Sequence, residues 1–233
     1  MNDCEVANDI WKTINSSKLP KTYTWVNHYS VLINISNDVK IDDFDFVGVD
    51  GQLLAYMIGS GIKTTAADRV LPLVLQKQIK ILCIGGTEKN TLLRESALSV
   101  KFPAAKLVDN FNGFSHDLLN TKSIKNIFSN GVELIIIGTG SPHQENLALR
   151  IKEFAKRNSV GRGVAIVTCG GWLDQILDDA YYPAWSYNLK LNWLVRLTRE
   201  PRRLWKRYSI YAIKALFKIR SIKDYLFVIV SKS

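Results

Sequence analysis

The apolar residues of this chain fall mainly into short continuous runs, and several of those runs end in glycine-rich loops. The clearest are KILCIGG (80–86), ELIIIGTGSP (133–142) and GVAIVTCGG (163–171), and each precedes a segment in which apolar residues recur at helical spacing. Continuous apolar runs are typical of strands buried on both faces of a parallel sheet. The repeated order of strand, glycine loop and helix therefore predicts an α/β fold, a Rossmann-like, mostly parallel sheet with helices on both faces.

The first part of the chain fits the same scheme less regularly. SVLINIS (30–36) is the first predicted strand, and a second, short strand is predicted to end at Asp50 and Gly51. Helices are predicted over QLLAYMIG (52–59) and within TTAADRVLPLVLQKQ (64–78). Ligands of parallel α/β sheets bind beyond the carboxyl ends of the strands, so we expect the strand-terminal loops and Asp50 to line one crevice.

The composition is that of an ordinary globular protein, with 47% apolar and 22% charged residues. The three cysteines, Cys4, Cys83 and Cys169, are too widely spaced for a disulfide framework or a zinc site, which indicates a reducing compartment. The N-terminal segment lacks the basic and apolar regions of a secretory signal. These features together predict a cytoplasmic protein.

Charge is distributed unevenly along the chain. All of the net charge of +10 lies in residues 190–233, which contain 12 basic and 2 acidic residues. We therefore predict two parts, a catalytic core over residues 1–189 and a basic helical appendage over residues 190–233. A basic segment attracts anionic surfaces of any kind, so its apolar pattern has to distinguish between nucleic acid and membrane.

The apolar residues of this appendage recur at near-helical spacing from Tyr208 onwards, with lysine and arginine between them. Basic amphipathic helices bind in the headgroup region of anionic membranes, so we predict a peripheral protein on the inner face of the cell membrane. No nucleic acid partner is predicted, because the apolar run Tyr225–Val230 would make no favourable contacts in a DNA groove. The alternative is a helix that packs in the core or joins copies of the chain into a homo-oligomer.

Several strands that each end in a glycine loop favour a ligand that contains phosphate, because backbone N–H groups at helix N-termini attract anions. For any single loop, tight turning or close packing is the simpler explanation. A dinucleotide oxidoreductase is disfavoured, since GTGSPHQ lacks the third glycine of the dinucleotide fingerprint. A P-loop enzyme is excluded more firmly, because no glycine loop carries the required lysine.

No metal site and no cofactor is predicted. Asp43 and Asp45 form a DFD triplet of the kind that binds metal in many sugar-nucleotide transferases, but their acidic surroundings favour solvated carboxylates. His28, His116 and His143 are scattered, without a second ligand at suitable spacing.

Three motifs follow one another in the C-terminal half of the chain: IIIGTGSPHQE (135–145), CGGWLDQILDDAYYPAW (169–185) and LNWLVRLTREPRRLWKRY (191–208). Together with VGVDG, TTAADRVL and ILCIGG upstream, they resemble the WecG/TagA/CpsF glycosyltransferase family over roughly residues 50–208. The resemblance implies an inverting, metal-independent transferase in cell-surface polysaccharide synthesis. Its donor would be a UDP-sugar carrying an N-acetylmannosamine-like or uronate group, and its acceptor a polyprenyl-diphosphate-linked glycan.

The same resemblance implies roles for individual residues. Asp50 would be the base that activates the acceptor hydroxyl, with helix capping as the alternative. Gln144 and Asp174 would hydrogen-bond to the sugar or the nucleotide, again with helix capping as the alternative. The other predicted substrate-binding residues are Asn34 and Asn37 as candidates for a strand-end asparagine, Lys63, Asp68, the loop glycines Gly85, Gly86, Gly113, Gly138, Gly140, Gly170 and Gly171, Phe114 for base stacking, and Arg196, Arg203 and Arg207 for the diphosphate.

Two other functions stay open beside the transferase. The segment before Asp50 is shorter than the family pattern, which favours a catalytically lapsed homologue that acts as a membrane- or partner-binding module. An NAD-dependent oxidoreductase would use the same glycine loops, and detectable NADH binding without UDP binding would identify it.

Overall fold

The computed structural model describes residues 1–59, 61–114, 121–178, 181–183, 186 and 191–227, without the side chains of residues 121–123 and 203. Six parallel strands form one sheet: β1 (Lys21–Val26), β2 (Phe46–Val49), β3 (Ile79–Gly85), β4 (Ala105–Phe111), β5 (Leu134–Gly138) and β6 (Ala165–Thr168). They lie in the order β2-β1-β6-β5-β3-β4. The predicted α/β fold with a parallel sheet is confirmed.

Helices precede the first strand, connect the strands and form the C-terminal part of the described chain. They are α1 (Asp3–Ser16), α2 (His28–Ser36), α3 (Gln52–Ile58), α4 (Ala67–Val74), α5 (Glu88–Lys101), α6 (Thr121–Ser129), α7 (His143–Asn158), α8 (Trp172–Gln175), α9 (Asn192–Arg199), α10 (Pro201–Tyr208), α11 (Ile210–Phe217) and α12 (Ile219–Tyr225).

Two apolar cores lie on opposite faces of the sheet, because successive side chains of a strand point to opposite sides. In β3, Ile81 and Cys83 belong to the core that contains α1, α4, α5 and α8. Leu82 and Ile84 belong to the core that contains α2, α3, α6 and α7. Burial on both sides explains why the central strands are continuously apolar in the sequence.

The strand predicted over residues 30–36 is wrong, since this segment forms helix α2. The Asn27 side chain accepts hydrogen bonds from the N–H groups of Tyr29 and Ser30, both at 3.1 Å, and so caps the helix. The apolar residues of this segment occupy more than one face of the helix because α2 is covered twice, by the sheet on one side and by α11 and α12 on the other. The true first strand, β1, lies immediately upstream.

The C-terminal helices contribute to the core as well as to the surface. Ala215, Ile222 and Leu226 are fully buried in the core that contains α2 and α3, and the Tyr225 hydroxyl donates to the Val39 carbonyl at 2.8 Å. No helix in the described part of the chain is both long and apolar enough to cross a membrane. The division of the chain at residue 189 remains a proposal.

Candidate active site

A cavity of about 1490 Å³ lies beyond the carboxyl ends of the strands, where loops from all six strands meet. Its position is the one expected for a ligand site in a parallel α/β sheet. The residues that directly follow the strands form much of its wall: Asn27 after β1, Asp50 after β2, Gly86 after β3, Gly113 beyond β4, Thr139 and Gly140 after β5, and Cys169 and Gly170 after β6.

Asp50 lies at the end of β2 and faces this cavity. Its N–H donates to the Val26 carbonyl at 2.8 Å, so the backbone is fixed between β1 and β2. The N-cap of the following helix α3 is Gly51, with a φ of 95°, and no side chain among the described residues caps that helix. The Asp50 carboxylate accepts no hydrogen bond from the described residues, so helix capping does not account for it.

Asp68, in the first turn of α4, is a second carboxylate in the cavity wall. The pKa of Asp68 is raised from 3.8 to about 6, chiefly by burial and also by the negative charge of Asp50, against the opposing effects of Arg69 and Arg196. Its Oδ1 atom is buried and has no hydrogen-bond partner among the described residues. The site therefore holds two carboxylates whose charges interact.

Two arginines reach the cavity from the C-terminal helices, Arg196 from α9 and Arg207 from α10. The Nε atom of each is buried without a hydrogen-bond partner in the described structure. The Arg207 guanidinium lies 5.1 Å from the ring centre of Tyr29, and burial and the charge of Arg196 lower the pKa of Arg207. Two buried cations whose charges interact favour an anionic ligand between them and the strand ends.

Aromatic side chains surround these arginines at the same end of the cavity. Tyr208 packs against His28 and Trp193, with ring centres 5.9 and 5.8 Å apart respectively. The His28 Nε2 atom lies 3.0 Å from the Arg207 carbonyl oxygen and must donate to it, because a carbonyl only accepts. This aromatic wall, His28, Tyr29, Trp193 and Tyr208, is absent from the sequence-based prediction.

Gln144, in the first turn of α7, links two of the glycine loops. Its Oε1 atom accepts from the Gly170 N–H at 3.1 Å, and its Nε2 atom donates to Glu145 Oε1 at 2.8 Å. The Ser141 hydroxyl also donates to Glu145 Oε1, at 2.9 Å. Burial raises the pKa of Glu145, although these hydrogen bonds oppose that effect. Gln144 thus lines the cavity while its amide holds the loops after β5 and β6 together.

The glycine loops pack backbone against backbone. A Cβ atom on Gly85 would lie 2.7 Å from the Gly138 carbonyl oxygen, and one on Gly138 would lie 2.7 Å from that of Gly170. The Gly113 N–H donates to the Gly86 carbonyl at 2.9 Å. Close packing therefore accounts for Gly85 and Gly138, while Gly140, at a φ of 78°, has open space where a Cβ would stand.

Most of the predicted site residues share this one cavity. The residues in its wall are Asp50, Asp68, Gly86, Gly113, Phe114, Gly138, Gly140, Gln144, Gly170, Gly171, Asp174, Arg196 and Arg207. Asp174 accepts a hydrogen bond from Asn90 at 2.8 Å.

Four predicted residues are outside the cavity wall, which corrects the prediction. Asn34 is fully buried on α2, close to the Glu145 side chain. Asn37 ends the same helix and donates to the Ile33 carbonyl. Lys63 is exposed in the loop before α4, and Gly85 lies beneath the wall. The side chain of Arg203 lies outside the described residues.

The strand-end asparagine is Asn27 rather than Asn34 or Asn37. It directly follows β1 and lines the cavity, whereas the other two lie within or at the end of the next helix. The sequence carried a signal for it, since Asn27 and Ser30 have the spacing of a helix N-cap pair before an apolar run.

The acidic DFD triplet does not face the cavity. Asp45 is exposed, and it also forms an ion pair with Lys152 at 2.8 Å and accepts from the Thr22 N–H at 2.8 Å. Among the described residues, no group of three histidine, cysteine or acidic side chains is arranged to hold a metal ion.

Comparison with known proteins agrees with this geometry. The profile of the Glycosyl transferase WecG/TagA/CpsF family matches residues 12–225. A UDP-Gal:alpha-D-GlcNAc-diphosphoundecaprenol beta-1,4-galactosyltransferase from Shigella boydii is 28% identical over 237 aligned residues, which cover 97% of this chain and 95% of that protein. The chain therefore belongs to the WecG/TagA/CpsF family of glycosyltransferases.

Proposed function

We propose that this glycosyltransferase moves a hexose from a UDP-sugar to a sugar linked to polyprenyl diphosphate, with inversion at the anomeric carbon. The observation that carries the proposal is the shared cavity, in which the Asp50 carboxylate, two arginines and the glycine loops meet. The name of the Shigella boydii relative supports both substrate classes. The Asp50 carboxylate at the strand end has no structural partner among the described residues, which favours an active enzyme over a catalytically lapsed homologue.

The chemistry is a single displacement. Asp50 takes the proton from the acceptor hydroxyl, the oxygen attacks the anomeric carbon, and the bond to the UDP oxygen breaks with its electron pair leaving on UDP. Arg196 and Arg207 would neutralise the diphosphate as this charge develops. On this mechanism, no step depends on a metal ion.

The cavity has two distinct ends, which we assign to the two substrates. The donor would bind at the glycine-loop end, where Gly86, Gly113 and Gly140 bring backbone close to the ligand and Phe114 is exposed for stacking on uracil. The acceptor would enter at the tail end, past Trp193 and Tyr208. Asp50 then lies where the acceptor hydroxyl meets the anomeric carbon.

The surface next to the tail end supports a membrane-bound acceptor. Ile213, Leu216 and Phe217 of α11 are exposed, with Phe217 88% exposed. Lys214 and Lys218 are neighbours of this apolar face in the sequence, which gives it the basic amphipathic character of a membrane-surface helix. We propose that the protein is cytoplasmic and docks peripherally on the inner face of the membrane.

Donor identity is the finer part of the proposal. The family resemblance favours an N-acetylmannosamine-like or uronate sugar, whereas the relative that matches almost the whole chain is named for galactose. We favour galactose on this ground, with the other two as the alternatives to be compared directly.

The test is a transfer assay with the purified full chain and undecaprenyl-diphosphate-linked N-acetylglucosamine in mixed micelles. UDP-galactose, UDP-N-acetylmannosamine and its uronate are supplied in turn, each with magnesium or with excess EDTA. We expect UDP release and a heavier lipid-linked product with one donor, equally in EDTA. Binding of NADH without binding of UDP would overturn the proposal, and loss of transfer in EDTA would overturn its metal-independent form.

A further inference from the structure

Arg94 is an arginine in the middle of α5 whose side chain is fully buried. Its Nη1 atom donates to Asn110 Oδ1 at 2.5 Å, and its Nη2 atom donates to the Gly85 carbonyl at 2.6 Å. The Nε atom has no hydrogen-bond partner in the described structure. Arg94 forms no ion pair with any described carboxylate, so its charge is satisfied only by neutral oxygen atoms.

A buried charge without a counter-charge is costly, and arginine keeps its proton under all ordinary conditions. A protein that only needed to fill this space would be more stable with an apolar residue there. No described carboxylate contacts Arg94, and the acid that lies close to it, Asp174, belongs to the cavity wall, so the buried guanidinium adds positive charge directly beside the ligand space.

The guanidinium lies directly behind a loop that lines the cavity. A Cβ atom built on Gly86 would be 2.8 Å from Arg94 Nη2 and 2.6 Å from Asp174 Oδ1. Gly86 and Asp174 both belong to the cavity wall. The charge of Arg94 is therefore separated from the ligand space by little more than one glycine.

Arg94 is also the centre of a hydrogen-bonded network beneath this end of the cavity. Asn110, which it holds, donates to the Thr91 carbonyl of α5 at 2.8 Å. Because the C=O and N–H of a trans peptide point in opposite directions, holding the Gly85 carbonyl turns the Gly86 N–H away from α5. One side chain thus fixes the loop after β3 relative to the end of β4.

We infer that Arg94 is a positioning residue for the donor, whose diphosphate binds against the glycine turn that the buried guanidinium holds. This rests on the proposed function, because it requires a nucleotide diphosphate at the glycine-loop end. Arg94 does not touch the ligand. It fixes the Gly85–Gly86 turn and places positive potential behind it, where the low polarity of the interior strengthens the attraction.

The experiment measures the affinity of the full chain for UDP and for uridine by calorimetry. Arg94→Gln retains a hydrogen-bond donor but removes the charge, so we expect UDP affinity to fall about tenfold or more while uridine affinity changes by less than about threefold. Arg157→Gln is the matched control, because Arg157 is an exposed arginine on α7, and it should leave both affinities unchanged.

A second variant guards against misfolding of the first. Asn110→Asp places a carboxylate against Arg94, so the guanidinium remains in position but its charge is paired internally. UDP affinity should again fall more than uridine affinity, with circular dichroism confirming the fold. Equal losses for UDP and uridine in both variants would reduce Arg94 to a structural role. If the wild type itself fails to bind UDP, the proposed function is wrong. If the wild type binds UDP and both variants bind it equally well, only this inference is wrong.

Discussion

The two ends of the cavity are built in different ways. At the glycine-loop end, the wall is largely backbone, packed so closely that Gly85 and Gly138 leave no space for a side chain. At the tail end, the wall consists of large side chains, Arg196, Arg207 and Trp193, carried by helices from the most basic part of the chain. We infer from this difference that closely packed backbone binds the nucleotide, whereas buried arginine side chains assist the transfer.

The largest expected effect belongs to Asp50, the proposed base in the cavity wall at the end of β2. Asp50→Asn keeps the size of the side chain but cannot take a proton, so we expect transfer to fall by about a thousandfold, within the range for loss of a general base. UDP affinity should change little, because neither end of the cavity is altered. Transfer rates and calorimetric UDP affinity measure the two effects.

A matched control for this variant is Asp45→Asn, which removes a carboxylate that is paired with Lys152 away from the cavity. Transfer should then continue close to the wild-type rate once the fold is confirmed. Undiminished turnover by Asp50→Asn would remove Asp50 from the mechanism and leave Asp68 as the candidate base.

The next effect separates the two ends directly. Arg207→Gln removes a cation from the tail end, and loss of charge-assisted contacts to a diphosphate should lower kcat by about 30- to 100-fold. UDP affinity should fall by less than about tenfold, in contrast to the Arg94 variants. Lys206→Gln is the neighbouring control, since Lys206 is exposed and carries the same charge. Equal damage from both substitutions would mean that net charge, rather than position, matters.

The sequence was sufficient for the regular part of the fold. The runs that became β3, β5 and β6 are buried on both sides by helices, so their apolar pattern, glycine loops and order along the chain all point to a parallel sheet. Asp50 could be predicted for the same reason, because a strand end in such a sheet is a ligand site.

The first strand and its helix could not be separated in the same way. The apolar residues of helix α2 occupy more than one face because the tail helices cover the side that would otherwise be exposed, and those helices lie nearly two hundred residues further along the chain. Because of this error, Asn34 and Asn37 were predicted as candidates for the strand-end asparagine instead of Asn27. The aromatic wall was missed for a related reason, since His28 and Tyr208 meet only when the tail packs on α2.

The exposed face of α11 gives a smaller effect that tests the tail end alone. Leu216 and Phe217 are 50% and 88% exposed, beside Lys214 and Lys218. Replacing both apolar residues with serine should weaken binding to phosphatidylglycerol vesicles by about 10- to 30-fold, because part of the usual gain from burying each side chain is lost. Sedimentation with vesicles measures the change, and transfer to a detergent-soluble acceptor should persist.

The control for that surface comes from the other end of the molecule. Leu92 and Val100 on α5 are 78% and 77% exposed, so the same double serine substitution there removes a similar apolar area. Vesicle binding should be unaffected by it. If both pairs weaken sedimentation equally, the association is general hydrophobic adsorption and α11 has no special role in docking.

The smallest effect is a pH dependence of stability that comes from Asp68. Because its pKa is about 6 in the folded protein and 3.8 ordinarily, the folded state holds this proton more tightly than the unfolded state. The stability associated with Asp68 is therefore complete below about pH 4 and is lost as the pH rises through 6. The free energy of unfolding of Asp68→Asn should exceed that of the wild type by about 1 kcal/mol at pH 7.5. At pH 4 it should not exceed that of the wild type. Urea denaturation at both values measures this, with Glu95→Gln on the exposed side of α5 as the control. Asp50 contributes to the raised pKa of Asp68, so the stability difference that Asp68→Asn makes at pH 7.5 should be smaller when Asp50 is also replaced by Asn. If Asp50→Asn leaves that difference unchanged, the two carboxylates do not interact.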